Sequence, residues 1–279
     1  MCDFGFIIST SCRTNIHYNQ LKRCVESIKL FHPNNNIIII NETNLSNKYK
    51  NNVIEYGNKY KNVTVINSIV DGSADQQVCK ILLGTDLFST AVYMQDSMCL
   101  NKKLINVENI DLQFIWHFTN HRIHWDMIKE PKSSYNNINN INTHTDLIKH
   151  NVLRDYNDDP NFINYVIHKL NNKNEWCGCF GSACILSKNA LITMNNKVNF
   201  VDKLVQSITN RDRRANESIF ALICHYSFPN KNFELSYDGL YYDGYSHGKN
   251  SMNNKNTEFD NLKWCCVREY FSKIAFNRQ

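Results

Sequence analysis

The sequence lacks the glycine-rich signatures of the commonest nucleotide-binding enzymes. Neither a G-x-G-x-x-G fingerprint nor a P-loop occurs in its 279 residues, which argues against a nicotinamide-dependent enzyme and a P-loop ATPase. No apolar run approaches the roughly 20 residues of a transmembrane helix. The first apolar run, residues 4–8, is too short for a secretory signal and has no basic flank. We therefore expect neither a membrane span nor a cleaved leader.

A strong charge imbalance and a cysteine framework are also missing. The chain carries 31 basic and 26 acidic residues, a net charge of +5, and the basic residues are scattered along it. We therefore expect no nucleic-acid partner. The 11 cysteines are an odd number and form no repeated C-x-x-C unit. Together with the missing signal segment, this pattern predicts a reduced, cytoplasmic protein.

The first hundred residues do contain a regular alternation of apolar patterns. Strands are predicted at residues 4–9, 37–40 and 63–66, and a fourth apolar run begins at Thr90 and leads into Asp96. Helical periodicity occurs at 18–31 and 74–88, with at most a short helix within 45–61. This order predicts an α/β fold with a mostly parallel sheet flanked by helices. The fourth strand, apolar on both faces, belongs at the centre of that sheet.

The second half is less regular. Residues 175–186 place glycines among aromatic residues before a strand, and residues 236–249 form an aromatic, glycine-broken loop of the kind that closes over small ligands. The chain shows no internal repeat and no linker, so a single domain over residues 1–279 is expected. A further strand is predicted at 112–116, and helices at 161–170, 188–194, 200–208 and 215–226.

Asp96 is the first candidate for a functional residue. It follows the predicted central strand directly, between Gln95 and Ser97. Ligands of open α/β sheets bind at the carboxyl ends of the strands, where Asp96 is expected to lie. The alternative is that Asp96 caps the turn or helix that follows it.

Six segments, taken in order, resemble a known family. They are similar to the GT-A-fold glycosyltransferases, most of all to divergent members encoded by giant DNA viruses, over roughly residues 4–250. The resemblance implies one GT-A-like catalytic domain, with a nucleotide-sugar-binding half at about 1–110 and an acceptor-binding half with its closing loop at 111–279. The segments are 4–13, 21–28, 37–42, 92–97, 176–182 and 213–220.

The resemblance also implies an activity. The protein would transfer a sugar from a nucleoside-diphosphate donor, a UDP- or GDP-sugar, to a hydroxyl of a glycan or protein. Thr10 and Arg13 would contact the nucleotide, and Glu42 would accept hydrogen bonds from the base or ribose. The arginine fork suits a diphosphate because it donates two parallel hydrogen bonds. The alternatives are a surface cation for Arg13 and a solvated strand end for Glu42.

The same resemblance implies a divalent cation, Mn²⁺ or Mg²⁺, at Asp96, bridging the donor diphosphate. The family has a D-x-D motif here, whereas this chain has Gln95-Asp96-Ser97 and therefore a single carboxylate. Gln95 and Ser97 would complete the donor site. His247 is a candidate second metal ligand, and Lys249 is a candidate partner for phosphate.

Glu217 is the implied catalytic base. It follows Arg213 and Arg214 and opens an apolar helical pattern. A carboxylate within reach of the acceptor hydroxyl would deprotonate it, and the transfer would then invert the anomeric centre. The alternative is that Glu217 only complements the dipole of a first helical turn. Residues 176–182 would line the acceptor pocket, or their aromatic rings would belong to the core.

Three alternatives remain open at this stage. His117, His121 and His124, with Cys177 and Cys179, would form a zinc site, although their spacing matches no closed Cys/His pattern. A sugar-nucleotide nucleotidyltransferase would carry a glycine-rich signature after the first strand, and residues 10–14 contain no glycine. An inactive sugar-binding module on the same fold is favoured by the single carboxylate.

Overall fold

The computed structural model describes residues 4–42, 49–119 apart from 69 and 71, 144–172, 175–204, 210–239 and 264–274. Strands and helices alternate through the first hundred residues, as the apolar pattern predicts. The bounds of these elements are β1 Phe4–Thr10, α1 Asn15–Phe31, β2 Ile37–Asn41, α2 Tyr49–Gly57, β3 Val63–Asn67, α3 Ala74–Gly84, β4 Thr90–Gln95 and β5 Met98–Leu100.

The later elements are shorter and less evenly spaced. A 3-10 turn at Val107–Asn109 precedes β6, and a second one at Phe180–Ser182 joins β8 to β9. The remaining bounds are β6 Leu112–Phe114, β7 His117–Thr119, α4 His144–Asp155, α5 Pro160–Asn171, β8 Cys177–Cys179, β9 Cys184–Ser187, α6 Lys188–Val198, α7 Phe200–Lys203, α8 Asn210–Ser227, β10 Trp264–Val267 and β11 Phe271–Ile274.

The central sheet has six strands in the order β3-β2-β1-β4-β9-β6. The pairs β3–β2, β2–β1 and β1–β4 are parallel, whereas β9 runs antiparallel to both of its neighbours. Five strands therefore point in one direction, and β4 lies inside the sheet between β1 and β9. The predicted α/β fold with a mostly parallel sheet flanked by helices, and with β4 at its centre, is confirmed.

The sheet separates two hydrophobic cores. On β2, Ile38 and Ile40 pack into one core, and Ile37 and Ile39 pack into the other. This division follows from the alternation of side chains along a strand, and both faces of β2 are buried because helices cover both sides of the sheet. The run of isoleucines is therefore explained by packing alone.

Two predicted helix ends were wrong. The helix predicted to end at Phe88 ends at Gly84, and the Phe88 ring lies instead against Gly5 of β1, where an added Cβ would be 2.1 Å from it. The helix predicted to begin at Ala215 begins at Asn210, since Arg213 and Arg214 belong to it rather than to a preceding turn.

A hairpin near the C-terminus, which the sequence pattern did not predict, forms a second sheet with β5. Its strands β10 and β11 are antiparallel, and β11 pairs with β5, so that Lys273 lies opposite Met98. Asp238 anchors the hairpin: its carboxylate accepts hydrogen bonds from the backbone N–H groups of Tyr270 (3.0 Å) and Phe271 (2.8 Å). Among the described residues, none of the helices is long and apolar enough to cross a bilayer.

Candidate functional site

The site begins where the two central parallel strands β1 and β4 end. Thr10, the last residue of β1, donates a hydrogen bond from Oγ1 to Oδ2 of Asp96 over 2.7 Å. The backbone N–H of Asp96 donates to the carbonyl oxygen of Ser9 over 3.1 Å. Only 9% of Asp96 is exposed. Asp96 and Ser97 form a two-residue turn into β5, so the alternative that Asp96 caps a following helix does not hold.

Lys273 of β11 joins this site from the C-terminal hairpin. Its Nζ donates hydrogen bonds to Oε1 of Gln95 and, over 2.9 Å, to Oγ of Ser97. Only 6% of Lys273 is exposed, and its Nζ lies 5.2 Å from the centre of the Phe180 ring. The two residues that flank Asp96 in the sequence therefore share one buried ammonium group.

Gly181 connects Asp96's strand to the segment expected to bind the acceptor. The side-chain Nε2 of Gln95 donates to the carbonyl oxygen of Gly181 over 3.2 Å. Gly181 has a φ of 62°, in the left-handed region that glycine adopts at least cost. Its neighbour Ser182 also has a positive φ, of 54°. The Ser182 hydroxyl is buried and has no hydrogen-bond partner among the described residues.

Replacing Gly181 tests this close approach. A Cβ at Gly181 would lie 2.4 Å from Nε2 of Gln95, so Gly181→Ala is expected to lower the free energy of unfolding by about 1–3 kcal/mol. Gly84→Ala is the control, because a Cβ there would meet nothing within 4 Å. Urea unfolding measures both variants, and equal stability of the two would contradict the predicted clash.

The residues predicted to bind the nucleotide lie around the same strand ends. The backbone N–H of Glu42, just past β2, donates to the carbonyl oxygen of Thr10 over 2.8 Å. Glu42 is half-buried, and Arg13 is exposed in the loop after β1. Cys12 between them is buried. Burial, and then the neighbouring Asp96 carboxylate, raise the pKa of its thiol to about 12, so it stays protonated.

Glu217 lies inside a helix rather than at its start. Because α8 begins at Asn210, Glu217 lies beyond the first turn, and the prediction that it opens the helix was wrong. The alternative role as a partner of the helix dipole is therefore removed, since that effect is confined to the terminal turn. Its flanking residues Asn216 and Ser218 are also buried.

The surroundings of Glu217 connect it to the Asp96 site. Only 9% of Glu217 is exposed, and α8 packs against β8 and against the Phe180–Ser182 turn. Burial raises the pKa of the Cys179 thiol on β8, and Cys184, Cys224 and Glu217 raise it further. Glu217 is thus close to β8, and the turn on which α8 packs is the one that Gln95 contacts.

The zinc alternative gains no support from the described residues. Nδ1 of His117 lies 2.8 Å from Oγ of Ser236, and burial lowers the pKa of this histidine. Burial raises the pKa of the Cys177 thiol to about 12; zinc binds thiolates instead. No group of three or more potential metal ligands occurs in the described part of the chain. His121 and His124 lie outside the described residues.

A divalent cation at Asp96 fits the described surroundings poorly. Thr10 already donates to the Asp96 carboxylate, and the oxygens of Gln95 and Ser97 accept hydrogen bonds from Lys273. Mn²⁺ and Mg²⁺ prefer several oxygen ligands, and an adjacent ammonium group repels a cation. The further metal and phosphate candidates, His247 and Lys249, lie outside the described residues.

Comparisons with known proteins give the fold weak parallels. The sequence matches no protein-family model and no curated protein. Its structure is similar to S. aureus TarS 1-349 in complex with UDP, with 14% identity over 46% of this chain and 40% of that one, at a TM-score of 0.32. The same fragment in complex with UDP-GlcNAc matches at 14% identity and a TM-score of 0.31, over 46% of this chain and 38% of that one.

A longer TarS structure behaves in the same way. It matches at 13% identity and a TM-score of 0.32, over 46% of this chain and 24% of that one. The chain thus spans less than half of each TarS structure that it matches. Similarity at this level adds nothing to the architecture already described, so the functional argument depends on the site itself.

Proposed function

We propose that this protein is a nucleotide-sugar glycosyltransferase. The observation that carries the proposal is the buried Asp96 carboxylate, which Thr10 holds at the carboxyl end of the central strand β4, 2.7 Å from Oγ1. Adjacent strands of an α/β sheet bind their ligands at this edge. A buried carboxylate costs free energy unless it is compensated, which favours a role in binding or catalysis over a structural one.

The donor nucleotide would lie along the ends of β1, β2 and β4. Thr10 and Glu42 are adjacent there through a backbone hydrogen bond of 2.8 Å. The exposed guanidinium of Arg13 would bind a phosphate, since its donors match two oxygens at once. Lys249 would add a second positive charge. The donor is accordingly a UDP- or GDP-sugar, and the acceptor a hydroxyl of a glycan or protein.

Glu217 would act as the general base. Its carboxylate is buried and lies on the helix that packs against the Phe180–Ser182 turn. The unpartnered Ser182 hydroxyl in that turn offers an acceptor sugar a hydrogen-bonding group. A base on the acceptor side, opposite the donor strands, suits an in-line displacement with inversion at the anomeric carbon.

The experiment is a donor screen with purified protein. UDP-glucose, UDP-GlcNAc, UDP-galactose, GDP-mannose and GDP-fucose are each incubated with it, and the release of UDP or GDP is measured. We expect one donor to be hydrolysed above the buffer rate, and Asp96→Ala to abolish that hydrolysis. Asp86→Ala, at an exposed carboxylate after α3, is the control and should leave the rate unchanged.

The other outcomes separate the alternative functions. Absence of turnover with every donor, together with glycan binding that Asp96→Ala leaves intact, would favour an inactive sugar-binding module. Formation of a sugar nucleotide from a nucleoside triphosphate and a sugar 1-phosphate would favour a nucleotidyltransferase. Either result would contradict the proposed function.

A further inference from the structure

The buried ammonium group of Lys273 has no role in the site derived so far. We propose that Lys273 supplies the positive charge that the leaving nucleoside diphosphate requires, so that donor binding and cleavage need no divalent metal. This inference rests on the proposed function and deepens it. Its basis is the position of Lys273 beside Asp96, between the oxygens of Gln95 and Ser97.

The cost of burying Lys273 is the first argument. Only 6% of the residue is exposed, and an ammonium group out of water is stable only when hydrogen bonds and nearby negative charge compensate it. Gln95 and Ser97 provide hydrogen bonds but no charge. Asp96 carries the negative charge between them in the sequence. A lysine that merely fastened the hairpin would be replaced by an apolar residue at lower cost.

The shared electrostatic environment of Asp96 and Lys273 is the second argument. Burial raises the pKa of the Cys24 thiol well above its ordinary value; Cys99 and Asp96 raise it further, and Lys273 lowers it. Asp96 and Lys273 thus act with opposite signs on one buried sulfur atom. A carboxylate alone would repel a diphosphate, whereas a carboxylate with an adjacent ammonium group would not.

The geometry of the strands is the third argument. Lys273 lies opposite Met98 in the β11–β5 pairing, directly after the turn that holds Asp96. Two of the oxygens that a metal at Asp96 would use already accept hydrogen bonds from Nζ. The cation is therefore part of the chain, and its place is set by the pairing of the hairpin with β5.

The transfer step balances with Lys273 protonated throughout. The bond between the anomeric carbon and the β-phosphate oxygen breaks, and its electron pair remains on the nucleoside diphosphate. The acceptor oxygen forms the new bond to the anomeric carbon and loses its proton to Glu217. The Lys273 ammonium stabilises the charge that develops on the leaving diphosphate and transfers no proton.

The test is nucleotide binding to the full chain by calorimetry. UDP and GDP are titrated into the wild-type protein, once in EDTA and once with Mn²⁺, and uridine and guanosine serve as ligands without phosphate. We expect a nucleoside diphosphate to bind equally well in EDTA and in Mn²⁺. Binding that appears only with Mn²⁺ would overturn the role of Lys273 and leave the proposed glycosyltransferase function standing.

A variant separates a charge that contacts phosphate from a structural lysine. Lys273→Met is expected to weaken diphosphate binding by roughly 10–100-fold and to leave nucleoside binding unchanged. A purely structural role would weaken both, and unchanged diphosphate binding would overturn the proposal. Lys102→Gln is the control, since Lys102 is an exposed lysine that pairs with Glu269 of the same hairpin.

Two further results are decisive. If Lys273→Met does not fold, the comparison of EDTA with Mn²⁺ in the wild-type protein decides alone. Failure of the wild-type protein to bind any of the nucleotides under either condition would contradict the proposed function, and with it the role of Lys273. The two failures are therefore distinguishable.

Discussion

Glu217→Gln is expected to lower the rate of sugar transfer by about 10²–10⁴-fold, the usual contribution of a general base. The amide keeps the shape of the carboxylate and cannot take a proton from the acceptor hydroxyl. Affinity for the nucleoside diphosphate should not change, because Glu217 lies on α8, on the acceptor side of the Phe180–Ser182 turn. Transfer rates with saturating donor, measured alongside donor affinity, check both statements.

The matched control is Glu55→Gln, the same change at an exposed position of α2. It should leave the transfer rate within experimental error of the wild-type value. Full activity of Glu217→Gln would remove this residue as the base. Equal loss of transfer and of donor binding would indicate that the change disturbs the packing of α8 rather than the chemistry.

The arrangement of the sheet was predictable because it depends on local patterns. Each apolar run in the first hundred residues is bounded by polar residues, and their alternation with helical periodicity leaves a mostly parallel sheet as the economical arrangement. Helix ends were less predictable. Phe88 continues the helical pattern of α3, yet Gly84 ends that helix and Phe88 fills the space above Gly5.

Part of the candidate site was predictable for the same reason. Asp96 directly follows a central strand, and a sheet with parallel strands brings its end beside Thr10. Glu42 is brought to the same edge by the pairing of β1 with β2. The neighbourhood of these three residues follows from strand order alone. Their roles in binding or catalysis stay predictions that the donor screen tests.

Lys273 was not predictable from local patterns. It is 178 residues from Gln95 in the sequence, and a lysine in a short β-rich run is most often a solvated edge residue. Its burial depends on the pairing of β11 with β5 and on the anchoring of that hairpin by Asp238. Both are tertiary contacts, which no periodicity in the sequence reveals. The single carboxylate at Asp96 acquires its meaning only when Lys273 is placed beside it.

Stability is expected to fall as the pH is lowered from about 6.5 towards 4, because His32 must remain neutral in the folded state. Burial lowers the pKa of His32 from 6.5 to about 4, and Lys103 lowers it further in the same direction. Its Nε2 accepts a hydrogen bond of 2.9 Å from the backbone N–H of Leu104, which protonation would abolish.

The sign of this effect follows from proton uptake. Between about pH 4 and 6.5 the unfolded chain binds a proton at His32 and the folded chain does not, so the unfolding free energy rises with pH. The contribution is fully present above about pH 6.5. It amounts to about 3 kcal/mol and is lost as the pH falls through that window.

His32→Gln isolates this contribution, since the amide oxygen of glutamine can accept the Leu104 hydrogen bond and does not titrate. We expect the wild-type protein to lose about 3 kcal/mol more unfolding free energy than His32→Gln between pH 7 and pH 4. His168→Gln, the same change at an exposed position of α5, should follow the wild-type curve. Parallel curves for wild type and His32→Gln in urea unfolding would contradict a buried, neutral His32.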